Sequence, residues 1–300
     1  MTERIGFIGV GNMGWPMAAN LARAGRAVTV FDVNQEQAAR FAGEYGASHA
    51  KTLQELGAAA DIVITMLPDG KVVRRVMLEM EDGGLAPYLA PGSLLIDMSS
   101  SDPLGTRELG TELQSHGLKL MDAPVSGGLA GARDGTLTIM MGGDDADSIE
   151  RARPVLACLG KRLFETGPLG SGHAMKALNN FVAGAGFVAA AEALITGRRF
   201  GLDPAVIVDI LNVSTGRNFT TETVIGTEVL NGRFATGFAL ALLAKDIRIA
   251  ADLAGGLGLD APLMQLSNRR WSEALAGLGG GKDFTEAFRY WESVASGEKS

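Results

Sequence analysis

Cysteine is nearly missing. Cys158 is the single one in 300 residues, which excludes an intrachain disulfide framework and any cysteine-rich metal site. Histidine is almost as scarce, and His49, His116 and His173 show no metal-ligand spacing, so no metal is assigned. Positive charge is in deficit: Lys+Arg 27 against Asp+Glu 34 gives a net −7. A nucleic-acid binder usually carries a basic face, so that class is disfavoured. No charged leader with a cleavage site precedes the first apolar run, Ile5 to Val10. The most apolar helical stretch, Phe181 to Ala191, is short for a bilayer and stops at Glu192, so no membrane span is expected. The expectation is a cytoplasmic protein. Glycine, by contrast, is abundant at 41 residues, and 46% hydrophobic residues suffice for a sizeable core. A chain of this length commonly splits into two domains.

The first half alternates short apolar runs with helical patterns. Strands are expected at Ile5–Val10, Ala27–Asp32, Ile62–Leu67, Ser93–Met98, Lys119–Ala123 and Leu137–Met141. Helices are expected at Met13–Ala24, Gln35–Tyr45, Gly70–Met80 and Pro103–His116. Such alternation predicts βαβ units and a parallel, doubly wound Rossmann-type sheet, an α/β fold. After Gly167 no strand pattern is found, and a long alanine-rich helix runs from His173 to Phe200. Gly184 and Gly186 cost helix propensity there, so close packing of a neighbouring helix is expected at both. Further helices are expected from Asp203-Pro204 and over Phe238–Leu257, Pro262–Ala276 and Phe284–Ser293, with a frayed tail at Ser296–Ser300. The predicted domains are therefore 1–167, dinucleotide-binding, and 168–300, all-helical.

Gly9-Val10-Gly11-Asn12-Met13-Gly14 is a GxGxxG turn between a strand and a helix. The first glycine permits the turn, the second admits a pyrophosphate, and the third lets helix and strand pack closely. The helix N-terminus offers N–H donors to phosphate. Asp32, ending the second strand, can accept both adenosine ribose hydroxyls and repels a 2′-phosphate, so NAD is preferred over NADP. Two loops at strand C-termini, Met66–Asp69 and Asp97–Ser100, offer Leu67, Pro68 and Ser100 to a cofactor, or are ordinary turns. Ser126-Gly127-Gly128 can present bare N–H groups and a hydroxyl to a carboxylate, or can be a flexible turn. Lys176 and Asn180 share one helical face. Desolvation and a second cation, for which Lys245 is the candidate, would lower the pKa of Lys176 towards proton transfer. Taken alone, Lys176 can equally be a solvated lysine.

FIGVGNMGWPMAAN (Phe7–Asn20), DAPVSGG (Asp122–Gly128), GSGHAMKALNN (Gly170–Asn180) and AKD (Ala244–Asp246) together resemble the β-hydroxyacid dehydrogenase family over nearly the whole chain. The resemblance implies Lys176 as catalytic general acid/base and Asn180 as an amide orienting the substrate. It implies Ser126, Gly127 and Gly128 as the cradle for a small carboxylate substrate. It also implies Gly9, Gly11, Asn12, Met13, Gly14, Asp32, Leu67, Pro68, Ser100 and Lys245 around NAD, and a homodimer or homotetramer built through the helical domain. Val72 departs from the asparagine of some relatives, and Ser99-Ser100 stands for their serine-threonine pair. Arg217, Asn218 and Trp15 are each readable as pocket or as packing residues. The expected reaction is reversible oxidation of a 3-hydroxyisobutyrate-like acid. Glycerate or tartronate semialdehyde, threonate-like sugar acids, 4-hydroxybutyrate and sulfonated three-carbon compounds are further substrate candidates. An imine reductase is disfavoured by Lys176, and a non-catalytic scaffold by the joint presence of lysine, asparagine and carboxylate loop.

Overall fold

Strands buried on both faces read as near-continuous apolar runs, because successive side chains point to opposite sides of a sheet. The runs IGFI, IVIT and LLID form β1 (Ile5–Ile8), β4 (Ile62–Thr65) and β5 (Leu94–Asp97), broken only at the C-terminal ends by the buried polar Thr65 and Asp97. The computed structural model describes residues 3–80 and 83–297. The remaining strands are β2 (Val28–Phe31), β3 (Ser48–His49), β6 (Lys119–Asp122), β7 (Val125–Ser126), β8 (Leu137–Gly142) and β9 (Gly160–Gly167). The first six are parallel in the order β3-β2-β1-β4-β5-β6. β8 runs antiparallel to β6 and β7, and β9 pairs with β8. This is the doubly wound order, with its reversal between β1 and β4, where ligands bind beyond the strand C-termini.

Alternate residues of the same strands feed two cores. Ile5, Phe7, Ile62, Ile64, Leu94 and Ile96 pack on one face; Ile8, Val63 and Leu95 pack on the other. The covering helices are α1 (Gly14–Arg23), α2 (Gln35–Tyr45), α3 (Leu53–Ala59), α4 (Gly70–Arg74), α5 (Pro103–Ser115), α6 (Gly128–Asp134) and α7 (Ala146–Leu156). The expected helix over 70–80 is α-helical only to Arg74 and turns π-helical at Arg75–Glu79. β3, α3, β7, α6, α7 and β9 were not expected from the sequence.

The chain divides into two compact units, Met1–Lys176 and Ala177–Ser300. The division falls inside α8 (Ser171–Phe200), not at the preceding Pro168–Gly172 loop. α8 is long and apolar enough to cross a membrane by length and composition alone, because it extends well beyond the Phe181–Ala191 stretch. Its apolar content has another physical source: Phe187, Ala190, Ala191, Leu194 and Ile195 lie in the core of the second unit. That unit adds α9 (Pro204–Val213), α10 (Leu240–Gly256), α11 (Pro262–Leu278) and α12 (Ala287–Ser296), plus a π-helical turn at Thr221–Val229. No strand occurs among its described residues. Asp203 caps α9, accepting from the Ala205 N–H at 2.8 Å, with Pro204 at the first helical position. Trp271, Trp291, Phe187 and Phe284 pack together with ring centroids 5.1–6.1 Å apart.

Of the two α8 glycines, one behaves as expected. A Cβ on Gly184 would lie 2.5 Å from Ile247 Cδ1, so α10 does pack closely there. A Cβ on Gly186 would meet only Asn218, at 3.5 Å or more, which is ordinary contact. Close helix packing does not require that glycine. Ser296 ends α12 and Gly297 closes it in the left-handed region, so these two are ordered in place of the expected fraying; the rest of that tail, residues 298–300, lies outside the described residues.

Candidate active site

The turn after β1 is shaped by exclusion. Gly9 sits at φ +94°, and a Cβ there would collide with the Met66 carbonyl oxygen. A Cβ on Gly14 would run into the Gly9 carbonyl and lie 3.1 Å from the Phe7 ring. Gly11 is different: nothing lies within 4 Å of its Cβ position. The outer two glycines thus let the backbone fold on itself, while the middle one faces open space. Asn12 is exposed and Met13 half-buried against the core. α1 opens at Gly14 with no side-chain cap and no acidic residue in its first turn, which suits an anion at its N-terminus.

Asp32 stands beside this turn at the end of β2. One carboxylate oxygen accepts from the Val10 N–H at 2.9 Å and the other from the Asn34 N–H at 2.8 Å. Each oxygen keeps a second lone pair, enough for a ribose diol. A crowded glycine turn, an uncapped helix start and a fixed carboxylate together fit a dinucleotide. Trp15 resolves to packing: it lies edge-on to Phe41 and Tyr45 at 5.1 and 6.2 Å, under the Arg40 guanidinium.

The loops after β4 and β5 are tied to each other. The Leu67 N–H donates to Ser99 Oγ at 3.0 Å, and Asp97 accepts from Thr65 Oγ1, the Ser99 N–H and Ser101 Oγ at 2.7–3.0 Å. Ser99 is therefore the buried hydroxyl that supports the loop, and Ser100 the half-buried one beside it. Pro68 is exposed, Leu67 half-buried, and Val72 donates its N–H to the Asp69 cap of α4.

Asp122 is the residue that sequence reasoning missed. The sequence pattern marks it only as the end of a strand leading to the Ser126–Gly128 loop, yet its fully buried carboxylate accepts from the Gly170 and His173 N–H groups, each at 2.7 Å. It is a cap for α8 supplied from the end of β6. Glycines at 142 and 172 leave it room, because a Cβ on either would press on its oxygens. Burial pushes the Asp122 carboxyl above its ordinary range, and the adjacent His173 and the two N–H donors pull it back. A buried acid at a strand end, with GxG far downstream, was the available signal. Lys176, half-buried, lies in the second turn of the helix so anchored.

Ser126, Gly127 and Gly128 form a strand-to-helix junction in place of a free loop. Ser126 pairs with Thr138 of β8, Gly127 takes φ +128°, and Gly128 opens α6, which has no side-chain cap. In the second unit, the buried Asn180 amide donates to Asp246 Oδ2 at 2.6 Å, and Asn180 Oδ1 accepts from Asn179 at 3.1 Å. Asp246 Oδ1 lies 3.8 Å from Lys245 Nζ, so Asp246 sits between these two residues. Arg217 is exposed beside Glu222 at 3.6 Å, and Asn218 Oδ1 accepts from the Thr220 and Thr221 N–H groups. Asn218 is thus a helix-start cap. Among the described residues no group of three or more His, Cys, Asp or Glu side chains could hold a metal ion.

A family model described as the NAD binding domain of 6-phosphogluconate dehydrogenase matches residues 4–167. A second, described as the NAD-binding of NADP-dependent 3-hydroxyisobutyrate dehydrogenase, matches residues 170–291. The chain is 35% identical over 291 residues to 2-(hydroxymethyl)glutarate dehydrogenase of Eubacterium barkeri, covering 97% of this chain and 95% of the relative. It is 39% identical over 278 residues to 3-hydroxyisobutyrate dehydrogenase of Pseudomonas aeruginosa, covering 91% and 92%. Among solved structures, Mycobacterium tuberculosis 3-hydroxyisobutyrate dehydrogenase with L-serine superposes with a TM-score of 0.88 at 35% identity, covering 97% of this chain and 99% of that one.

Proposed function

The chain belongs to the β-hydroxyacid dehydrogenase family and is an oxidoreductase dependent on a nicotinamide dinucleotide; on that premise we propose that it reversibly oxidises the primary alcohol of a 2-substituted 3-hydroxypropanoate to the semialdehyde. The relatives' compounds share that skeleton. 3-Hydroxyisobutyrate, L-serine and 2-(hydroxymethyl)glutarate differ only in the group on C2: methyl, ammonium or carboxyethyl.

One observation carries the reading. The helix bearing Lys176 starts on the carboxylate of Asp122, at the same C-terminal side of the parallel strands as the glycine turn, Asp32 and the Met66 and Asp97 loops. When bound, the nicotinamide accepts a hydride from the carbinol carbon. This chain's residues do the rest. Gly9–Gly14 and Asp32 hold the cofactor, with Leu67, Pro68 and Ser100 beside it. Ser126–Gly128 hold the substrate carboxylate. The Lys176 amine takes the hydroxyl proton in oxidation and returns it in reduction.

The test is steady-state turnover on a panel of 2-substituted 3-hydroxypropanoates with NAD and with NADP. Turnover confined to 2-hydroxy acids, or to none, contradicts the proposal. NAD is the preferred cofactor in this reading, because the Asp32 carboxylate meets a ribose diol well and a phosphate badly. Asp32→Ser is expected to lower kcat/KM for NAD by about 10- to 100-fold, the scale of lost hydrogen bonds to a charged group, and to narrow the gap to NADP. A wild-type enzyme faster with NADP overturns that preference.

The second copy of this chain is the proposed partner. Val206, Ile210 and Val213 recur along one face of α9 and are 51%, 57% and 86% exposed, with Phe200 and Leu202 nearby in sequence also bare. Ile210→Glu is expected to reduce the sedimentation mass towards that of the monomer. A wild-type chain that sediments as a monomer contradicts the partner.

A further inference from the structure

His173 is 1% exposed and has no part in the chemistry just described, yet residues of three elements surround it. Its N–H donates to Asp122 Oδ2 at 2.7 Å at the end of β6. Its ring Nδ1 lies 2.8 Å from Thr106 Oγ1 on α5. Its Nε2 lies 3.6 Å from Asp97 Oδ2 at the end of β5, and Nδ1 lies 3.7 Å from Asp122 Oδ2. The Thr106 hydroxyl also lies 2.9 Å from the Asp102 carbonyl oxygen, so it either donates to that oxygen and accepts from Nδ1 or donates to Nδ1 itself; in both cases one bond joins the ring to α5. Nε2 is buried and has no hydrogen-bond partner among the described residues.

We propose that His173 is the positioning residue for Lys176. The bond between Nδ1 and Thr106 Oγ1 fixes the rotation of the first turn of α8 about its axis and so sets the direction of the lysine one turn on. Asp122 caps the helix end but holds only backbone N–H groups, which fixes where the helix starts. The imidazole ring is the side-chain key that adds rotation. Residues three apart share a helical face, so an error in that rotation passes directly to Lys176. A displacement of about 1 Å in a reacting group can cost about 100-fold in rate.

The inference rests on the reading of Lys176 as the proton-transfer group, and its test separates the two. His173→Asn retains a side-chain amide near Nδ1, able to donate to Thr106 or accept from it, and is expected to keep kcat within about threefold of wild type. His173→Gln puts its amide near Nε2 and loses the bond to Thr106. It is expected to lower kcat by about 10- to 100-fold, with KM for NAD unchanged. Thr106→Val, which removes the hydroxyl at nearly constant volume, is expected to lower kcat in the same direction. It is the variant to rely on if a His173 change fails to fold. The readout independent of activity is the acetylation rate of the Lys176 amine by acetic anhydride, followed by peptide mass spectrometry with Lys245 as internal reference. The rate at Lys176 is expected to shift at least about threefold in the glutamine and valine variants and not in the asparagine variant. Equal kcat and equal Lys176 acetylation across all three folded variants overturns the proposal. So does an equal loss in all three, which marks His173 as filler. If Lys176→Ala keeps full turnover, the catalytic reading fails by itself, and the acetylation pattern still decides the role of His173.

Discussion

Replacing Lys176 with alanine is expected to lower kcat by about 10² to 10⁴-fold, the usual contribution of a positioned general acid or base, while the dissociation constant for NAD stays within about twofold of wild type. Lys176 is half-buried in the second turn of α8, and alanine is the better helix former, so the helix and its Asp122 cap should survive the change. The loss falls on kcat because the proton leaves the alcohol in the step that breaks the carbinol C–H bond. A removed group that acts only in that step lowers kcat and kcat/KM together. Steady-state kinetics, with NAD binding followed by protein fluorescence, separates this from a damaged fold. An alanine variant with wild-type kcat contradicts the assignment.

Gly14→Ala is expected to weaken NAD binding by more than about 100-fold and to destabilise the first unit by about 1–3 kcal/mol, the range for overpacking a well-filled site. The added methyl has no flexible neighbour to displace. It meets the Gly9 carbonyl, itself pinned because the Gly9 N–H donates to Phe31 at 2.9 Å, and the buried Phe7 ring. The turn must open, and the start of α1 moves with it. Gly11→Ala is the informative control. Its methyl meets nothing in the folded chain, so the unfolding midpoint should hold while NAD affinity falls, because the occupied space is that of the pyrophosphate. Urea unfolding and NAD titration of both variants check the pair. A Gly14→Ala protein that binds NAD normally contradicts the role of the turn.

What the sequence made legible follows the range of the interactions involved. The parallel strands were readable because burial on both faces favours short, nearly continuous apolar runs. α2 was readable because Asn34 caps it and Gly46 ends it in the left-handed region, both local events. β9 was missed because GKRLFETG pairs only with β8 and stays mostly exposed, so no burial pattern marks it. α6 was missed because GLAGARD holds two glycines, and its propensity argues for a loop. The glycine turn and Asp32 belong to one βαβ unit and were found whole. The anchoring of α8 was not found. Asp122 and His173 are 51 residues apart, and nothing local says that an acid in a strand caps a helix so much later. Asp97 and Asp246 were missed for the same reason: each works by holding residues that belong to other segments.

The central claim is that the Lys176 amine takes the proton of a 3-hydroxy acid held under the nicotinamide. The most direct measurement is a crystal structure of the enzyme with NAD and a slowly turned-over 2-substituted 3-hydroxypropanoate. The account predicts Lys176 Nζ at about 2.6–3.2 Å from the substrate hydroxyl oxygen, with the carboxylate on the Ser126–Gly128 junction. An ammonium turned to solvent, with another group on that hydroxyl, contradicts it.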